Sequence, residues 1–177
     1  MALGLLVGTT QCGITPEPPN DEELITTVRI VFTDSQDANN TAVATFQDLD
    51  GVGGDPATIS DLTLATGTAY NFSVEFLDES GETAEDITAE VEEEGAEHQV
   101  FYVVAGANLT IAYGDMDGDG NPIGLVGTAT AGDASTGNLT ITLRHEPNKA
   151  GANVPEGDIT NAGGETDVEV TFNVTVE

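Results

Sequence analysis

In Val168-Glu-Val-Thr-Phe-Asn-Val-Thr-Val176 every second residue is apolar. Val168, Val170, Phe172, Val174 and Val176 alternate with Glu169, Thr171, Asn173 and Thr175. A helix would spread those five apolar residues around its axis, whereas a strand, with a side-chain period of two, puts them all on one face. The same period recurs upstream. Val28, Ile30 and Phe32 alternate with Arg29, Val31 and Thr33, Phe72, Val74 and Phe76 with Ser73 and Glu75, Leu109, Ile111 and Tyr113 with Thr110 and Ala112, and Leu139, Ile141 and Leu143 with Thr140, Thr142 and Arg144. Strands with one greasy and one polar face pack as antiparallel sheets, face to face. Weaker strand signals lie at 42–46, 59–64, 100–104 and 123–130, and clusters of Gly, Asn, Asp and Pro separate the segments. About nine short strands with such turns predict an all-β, antiparallel two-sheet β-sandwich of immunoglobulin-like or Greek-key type.

One segment breaks the period. Thr83 to Gly95 places Ile87 and Val91 four apart, with Thr83 as a candidate N-cap, Asp86 at the third helical position and Gly95 as a stop. A short surface helix near residues 84–94 is expected there. A shift of 67 residues superimposes Ala42, Ala44, Phe46 and the following Asp-x-Asp-Gly turn on Leu109, Ile111, Tyr113 and a second such turn, a faint internal echo.

The charge is extreme. Of 177 residues, 32 are Asp or Glu and only three are basic, Arg29, Arg144 and Lys149, for a formal net charge of -29. Such a field repels phosphate backbones and anionic headgroups, so nucleic-acid binding and a basic membrane patch are excluded, and cations are the natural partners. It also keeps a chain soluble, and salt relieves its self-repulsion.

Cys12 is the single cysteine, which rules out an internal disulfide. It follows the apolar run Met1-Ala-Leu-Gly-Leu-Leu-Val7 and precedes the acidic, Pro-rich Thr15-Pro-Glu-Pro-Pro-Asn-Asp-Glu-Glu23. That order predicts the remnant of a lipoprotein signal peptide, a lipidation site at Cys12 and a tether over 1–22, followed by one domain over 23–177.

The most chemically suggestive loop is Asp115-Met-Asp-Gly-Asp-Gly-Asn121. Carboxylates at positions one, three and five, Gly120 at six and the Asn121 carbonyl at seven reproduce the first half of a calcium loop, because a hard dication needs six to eight oxygens and a tight bend to aim them. Position twelve is Val126 in place of the bidentate Glu, so Asp115, Asp117, Asp119 and Asn121 would need a further ligand from Asp48, Asp50, Asp55 or Asp133. The same residue types also serve an ordinary long turn.

His98 and His145 are the two histidines, each expected at a strand end and each beside a carboxylate, Glu97 and Glu146. Should the strand ends meet, two imidazoles and a carboxylate could hold a transition metal such as Zn²⁺ or Cu²⁺. For catalysis the parts are missing: there is no nucleophile elbow, no His-Glu-x-x-His, no phosphate loop and no dinucleotide fingerprint. With no Trp and three Tyr, there is little surface on which sugar rings could stack. No catalytic residue is expected, and the chain is read as a non-enzyme.

The phrases EELITTV (22–28), QDLDG (47–51), ITAEVEEEGAEHQVFY (87–102), DMDGDGNPIGL (115–125), LTITLRHEPNK (139–149) and DITNAGGETDVEVTFNV (158–174) resemble an uncharacterised family of small envelope lipoproteins from Bacteroidetes-type bacteria. The resemblance covers nearly all of the chain from Glu22 onward and implies secretion and lipidation at Cys12. Members are sometimes labelled as having a type 1 periplasmic-binding fold, a doubly wound α/β arrangement that needs far more chain and helix than this sequence offers. The combined expectation is a non-enzymatic, lipid-anchored outer-membrane or extracellular protein, with calcium as candidate cofactor and other envelope proteins or its own copies as partners. Two alternatives stay open: an accessory lipoprotein that captures a metal or small molecule for an outer-membrane transporter, and a filament or sheath subunit assembled by strand addition.

Overall fold

The computed structural model describes residues 24–51 and 53–177. Cys12 and the tether expected over 1–22 lie outside them. The described chain forms strands β1 (Thr27–Asp34), β2 (Thr41–Gln47), β3 (Thr58–Ile59), β4 (Leu62–Leu64), β5 (Ala69–Asp78) and β6 (Glu85–Asp86). A short helix, α1 (Ile87–Glu93), follows, and then β7 (His98–Ala105), β8 (Leu109–Tyr113), β9 (Val126–Ala131), β10 (Ser135–His145) and β11 (Glu165–Val176).

These strands build two sheets. The first has the order β3-β2-β1-β5-β9-β8 with β6 on the end of β5, and the second has the order β4-β11-β10-β7. All pairs are antiparallel except β11 with β4, where Val174 to Val176 run parallel to Leu62 to Leu64. The architecture is an all-β sandwich with one short helix.

The period of two is what the core is made of. From the larger sheet Val28, Ile30, Phe32, Phe72, Val74 and Phe76 point inward, and from the smaller one Leu139, Ile141, Leu143, Phe172, Val174 and Val176; all are buried. Burying one such side chain contributes about 1.5–3 kcal/mol. Phe32 meets Tyr70 edge-on and lies against Phe72, which in turn meets Tyr102. The Phe72 ring needs room across the ladder, and its register partner is Gly127. A Cβ at Gly127 would sit 2.6 Å from Phe72 Cε1 and against the Ala112 carbonyl, so only glycine fits.

The helix is shorter than expected. It starts at Ile87 because Glu85 and Asp86 pair with Asp78 and Leu77 as a stub of strand, and its N-cap residue is Asp86, not Thr83. Ile87 and Val91 bury its apolar edge as anticipated. Two of the weaker strands also shift. Residues 59–64 divide into β3 and β4, which join different sheets, and Ile123 and Leu125 are buried ahead of β9 without being part of it. The echo is not a structural repeat: β2 and β5 share one sheet, whereas their counterparts β8 and β10 lie in different ones.

Candidate metal centre

β10 and β7 pair antiparallel, and the last pair of their register is His145 opposite His98. Alternation puts His145 in the inward row that continues Leu139, Ile141 and Leu143, and His98 in the row of Val100, so both imidazoles close the core at one end of the sandwich. His98 is wholly buried and His145 is 5% exposed. Their rings lie edge to face with centroids 4.6 Å apart, and His145 Nδ1 is 2.9 Å from His98 Nε2.

A carboxylate completes the group. Leu143 faces Val168 on β11 while Arg144 faces Thr166, which leaves Asp167 as the extra residue of a β-bulge. A bulge re-aims its side chain relative to the regular pleat. Here it brings Asp167 to the histidines: one ligand atom from each of His98, His145 and Asp167 lies within 4.8 Å of the others. Asp167 is half-buried. It also lines an opening of about 450 Å³ between the starts of β1 and β11 and the end of β2, to which Asp48 and Glu169 also contribute.

The ring orientation of His98 follows from its other nitrogen. Nδ1 is 3.3 Å from the Glu94 carbonyl at the end of α1, and a carbonyl can only accept. Nδ1 therefore carries the proton, and in the neutral ring Nε2 presents its lone pair to His145. A backbone carbonyl holding the far side of an imidazole is the usual support of a metal-ligating histidine. Gly164, just before β11, approaches the His145 carbonyl too closely for any Cβ and adopts φ +70°, so the backbone around the group tolerates only glycine there.

The sequence brought His98 and His145 forward with Glu97 and Glu146. The structure unites the histidines but supplies a different acid. Glu97 and Glu146 are exposed: each lies one residue beyond the end of its strand, and Glu146 turns away with φ +48°. Asp167 was missed because the alternation that places Val168 inward assigns Asp167 outward, and the period of two carries no mark of a bulge.

The Asp115–Asn121 loop is occupied by donors of the chain itself. Asp115 accepts from the backbone N–H of Gly124 at 2.8 Å, Leu125 at 2.7 Å and Val126 at 3.1 Å. Asp117 Oδ1 accepts from the N–H groups of Asp119 and Asn121, both at 2.9 Å. Its Oδ2 pairs with Lys149 Nζ at 2.9 Å, the two side chains being 2% and 5% exposed. Lys149 also donates to the carbonyls of Pro122, at 3.0 Å, and Gly95. An ammonium thus takes up Asp117 Oδ2, one of the oxygens expected for calcium, and joins it to the Pro122 and Gly95 carbonyls. None of the expected helper carboxylates is brought to this loop. Asp48, Asp50 and Asp55 lie on the β2–β3 connection at the far flank of the larger sheet, and Asp133 lies at the opposite end of the β8–β9 hairpin. Burial pushes the Asp117 carboxyl up, but hydrogen bonds from Lys149, Asn121 and Asp119 and the ammonium charge outweigh it and hold the group below its ordinary value.

A separate cleft of about 330 Å³ is lined by Tyr102, Tyr113, Met116 and Pro155 among others, away from the histidines. Tyr102 donates to the Gly124 carbonyl and Tyr113 to that of Val100. Burial pushes the Tyr113 phenol up to about 12 and the Tyr102 phenol well above the ordinary range, so both remain donors at neutral pH. Among the described residues no helix is long and apolar enough to cross a membrane. Compared with known proteins, the chain matches no family model, no curated protein and no solved structure.

Proposed function

We propose that the chain is a non-catalytic interaction or structural module of the cell envelope, tethered to the outer membrane through Cys12 or displayed outside the cell, and that it works by surface contact. What carries the reading is how the three cations are spent. Lys149 is sealed inside against Asp117, Arg29 is paired across β1 and β5 with Glu75 at 2.9 Å, and Arg144 donates to the Gly164 carbonyl. The outer field is then that of acids with little to offset them, which favours basic protein faces and dications as partners and disfavours close packing against further copies of the chain. Calcium is no part of this proposal, because Asp115 and Asp117 already have donors. The test is protease shaving of intact cells together with mass spectrometry of the mature N-terminus. A diacylglyceryl Cys12 on a protease-accessible chain supports the reading, whereas an unmodified chain found inside the cell overturns it.

A second reading, an accessory lipoprotein that captures a metal for a transporter, is favoured by one observation: His98 and His145 touch. Widely separated histidines would have removed it.

A further inference from the structure

We infer that His98 Nε2, His145 Nδ1 and a carboxylate oxygen of Asp167 form a three-ligand site for a borderline divalent transition cation, with Zn²⁺ as the type. The inference deepens the second reading, on which its use as cargo rests. The donor set selects the class: two imidazoles suit zinc and copper, whereas calcium and magnesium want oxygen alone.

The geometry lies close to what a bound ion needs. Zn–N and Zn–O bonds of about 2.0–2.1 Å at tetrahedral angles put ligand atoms roughly 3.3 Å apart. The two nitrogens stand at 2.9 Å, so seating an ion between them means a parting of a few tenths of an ångström. One ligand atom of each of the three residues lies within 4.8 Å of the others, and Asp167 is half-buried on a bulge, so the carboxylate has to move inward to complete the set. His98 is already oriented by the Glu94 carbonyl. On loading, His145 gives up its Nδ1 proton and carries one on Nε2 instead, so both lone pairs converge.

Access and openness point the same way. Asp167 lines the opening that Asp48 and Glu169 also border, so a cation drawn in by the acidic surface first meets the ligand that is least buried. Three protein ligands leave the fourth position of a tetrahedral ion open, as in exchangeable and catalytic sites and unlike closed structural ones. An open position is what ligand exchange to an acceptor requires.

The test uses the full chain, stripped with chelator, titrated with Zn²⁺ by calorimetry and with Co²⁺ followed by its visible ligand-field bands. Expected are one ion per chain, four-coordinate cobalt spectra displaced by Zn²⁺ and not by Ca²⁺, and a melting midpoint raised by about 5–10 °C at one hundred times Kd. His98→Gln and His145→Gln should abolish the cobalt spectrum, Asp167→Asn should weaken Zn²⁺ at least tenfold, and the exposed Glu82→Gln should change nothing. If the buried histidine variants do not fold, Asp167→Asn, at a half-buried position, decides alone. No binding, several ions per chain unaffected by these variants, or equal competition by Ca²⁺ would overturn the site. A site that binds one Zn²⁺ but yields it to a competing chelator only on unfolding stands as a metal site and removes the capture-and-delivery reading.

Discussion

Lys149→Met is the substitution with the largest consequence that sequence alone would not suggest. Lysine is rarely buried unless paired, and here one ammonium joins three separate pieces of chain: the end of the α1 segment through Gly95, the 115–122 loop through Asp117 and Pro122, and the 146–164 connection that carries Lys149 itself. At 2.9 Å and an effective dielectric of about 20, the ion-pair attraction is about 6 kcal/mol before desolvation. Most of that offsets the removal of two charges from water, so the pair adds little net stability over an apolar replacement. Breaking it is another matter. Lys149→Met leaves the Asp117 carboxylate buried without its counter-ion and two carbonyls without a donor, an expected loss of about 3–5 kcal/mol. For a domain of this size that lowers the melting midpoint by about 6–20 °C.

Asp117→Asn keeps an acceptor for the N–H groups of Asp119 and Asn121 while removing the charge, so the double variant tests the pair itself. Urea denaturation of all four proteins should give a coupling energy of about 2–3 kcal/mol, the double variant being less damaged than the sum of the singles. The pH dependence has a definite sign. A carboxyl whose folded pKa is depressed contributes stability that is complete above its unfolded value, near 3.8, and is lost as pH falls through the folded one. The advantage of the wild type over Asp117→Asn should therefore hold from neutrality to about pH 5 and fade below pH 4. A Lys149→Met protein within about 1 kcal/mol of wild type, or a coupling under about 0.5 kcal/mol, would refute the account of a buried, three-way ammonium.

Millimolar Ca²⁺ should raise the melting midpoint of the wild type no more than the same concentration of Mg²⁺, since Asp115 and Asp117 are engaged by backbone N–H groups and Lys149 and only general screening is left; a rise specific to Ca²⁺ would mean that the loop opens to it. Raising NaCl from low millimolar to molar at pH 7 should increase the midpoint, because screening relieves the repulsion of a -29 chain by more than it weakens the half-exposed Arg29–Glu75 pair; a falling midpoint contradicts this. Gly127→Ala should cost about 1–3 kcal/mol by forcing Phe72 or the β8 backbone aside, read as a lower urea midpoint with an unchanged slope.

How much of this was legible follows from which physical signals repeat along a chain. The inward rows of β1, β5, β10 and β11 were readable because burial on one face imposes the same alternation over many residues. The helix boundary was not, since Glu85 and Asp86 satisfy helix-start statistics equally well when they pair with β5. Nor was the parallel β4–β11 pair, which involves three residues of an already short strand. The loop of alternating aspartates has the pattern of half a calcium site because a sequence shows where carboxylates are but not which donors will reach them. Lys149 is 32 residues from Asp117 and nothing local couples the two.

The two histidines depend on the fold in the same way. Two strand-terminal histidines 47 residues apart signify nothing until a register sets them opposite each other. That register is fixed by the rows beneath: pairing Leu143 with Val100 and Ile141 with Tyr102 sets His145 opposite His98 on β7. A slip by one residue would turn the whole row outward, so the hydrophobic core that holds the sheet together also fixes the distance between the two imidazoles. Only the acid escapes this logic, arriving through a bulge that breaks the register locally. An apolar pair at that position would have continued the core at no cost in polar satisfaction. Burying two imidazoles there instead is costly unless their nitrogens have partners; without an ion His98 Nε2 and His145 Nδ1 serve each other at 2.9 Å, and a cation seated between them and Asp167 would exchange that one hydrogen bond for three coordinate bonds.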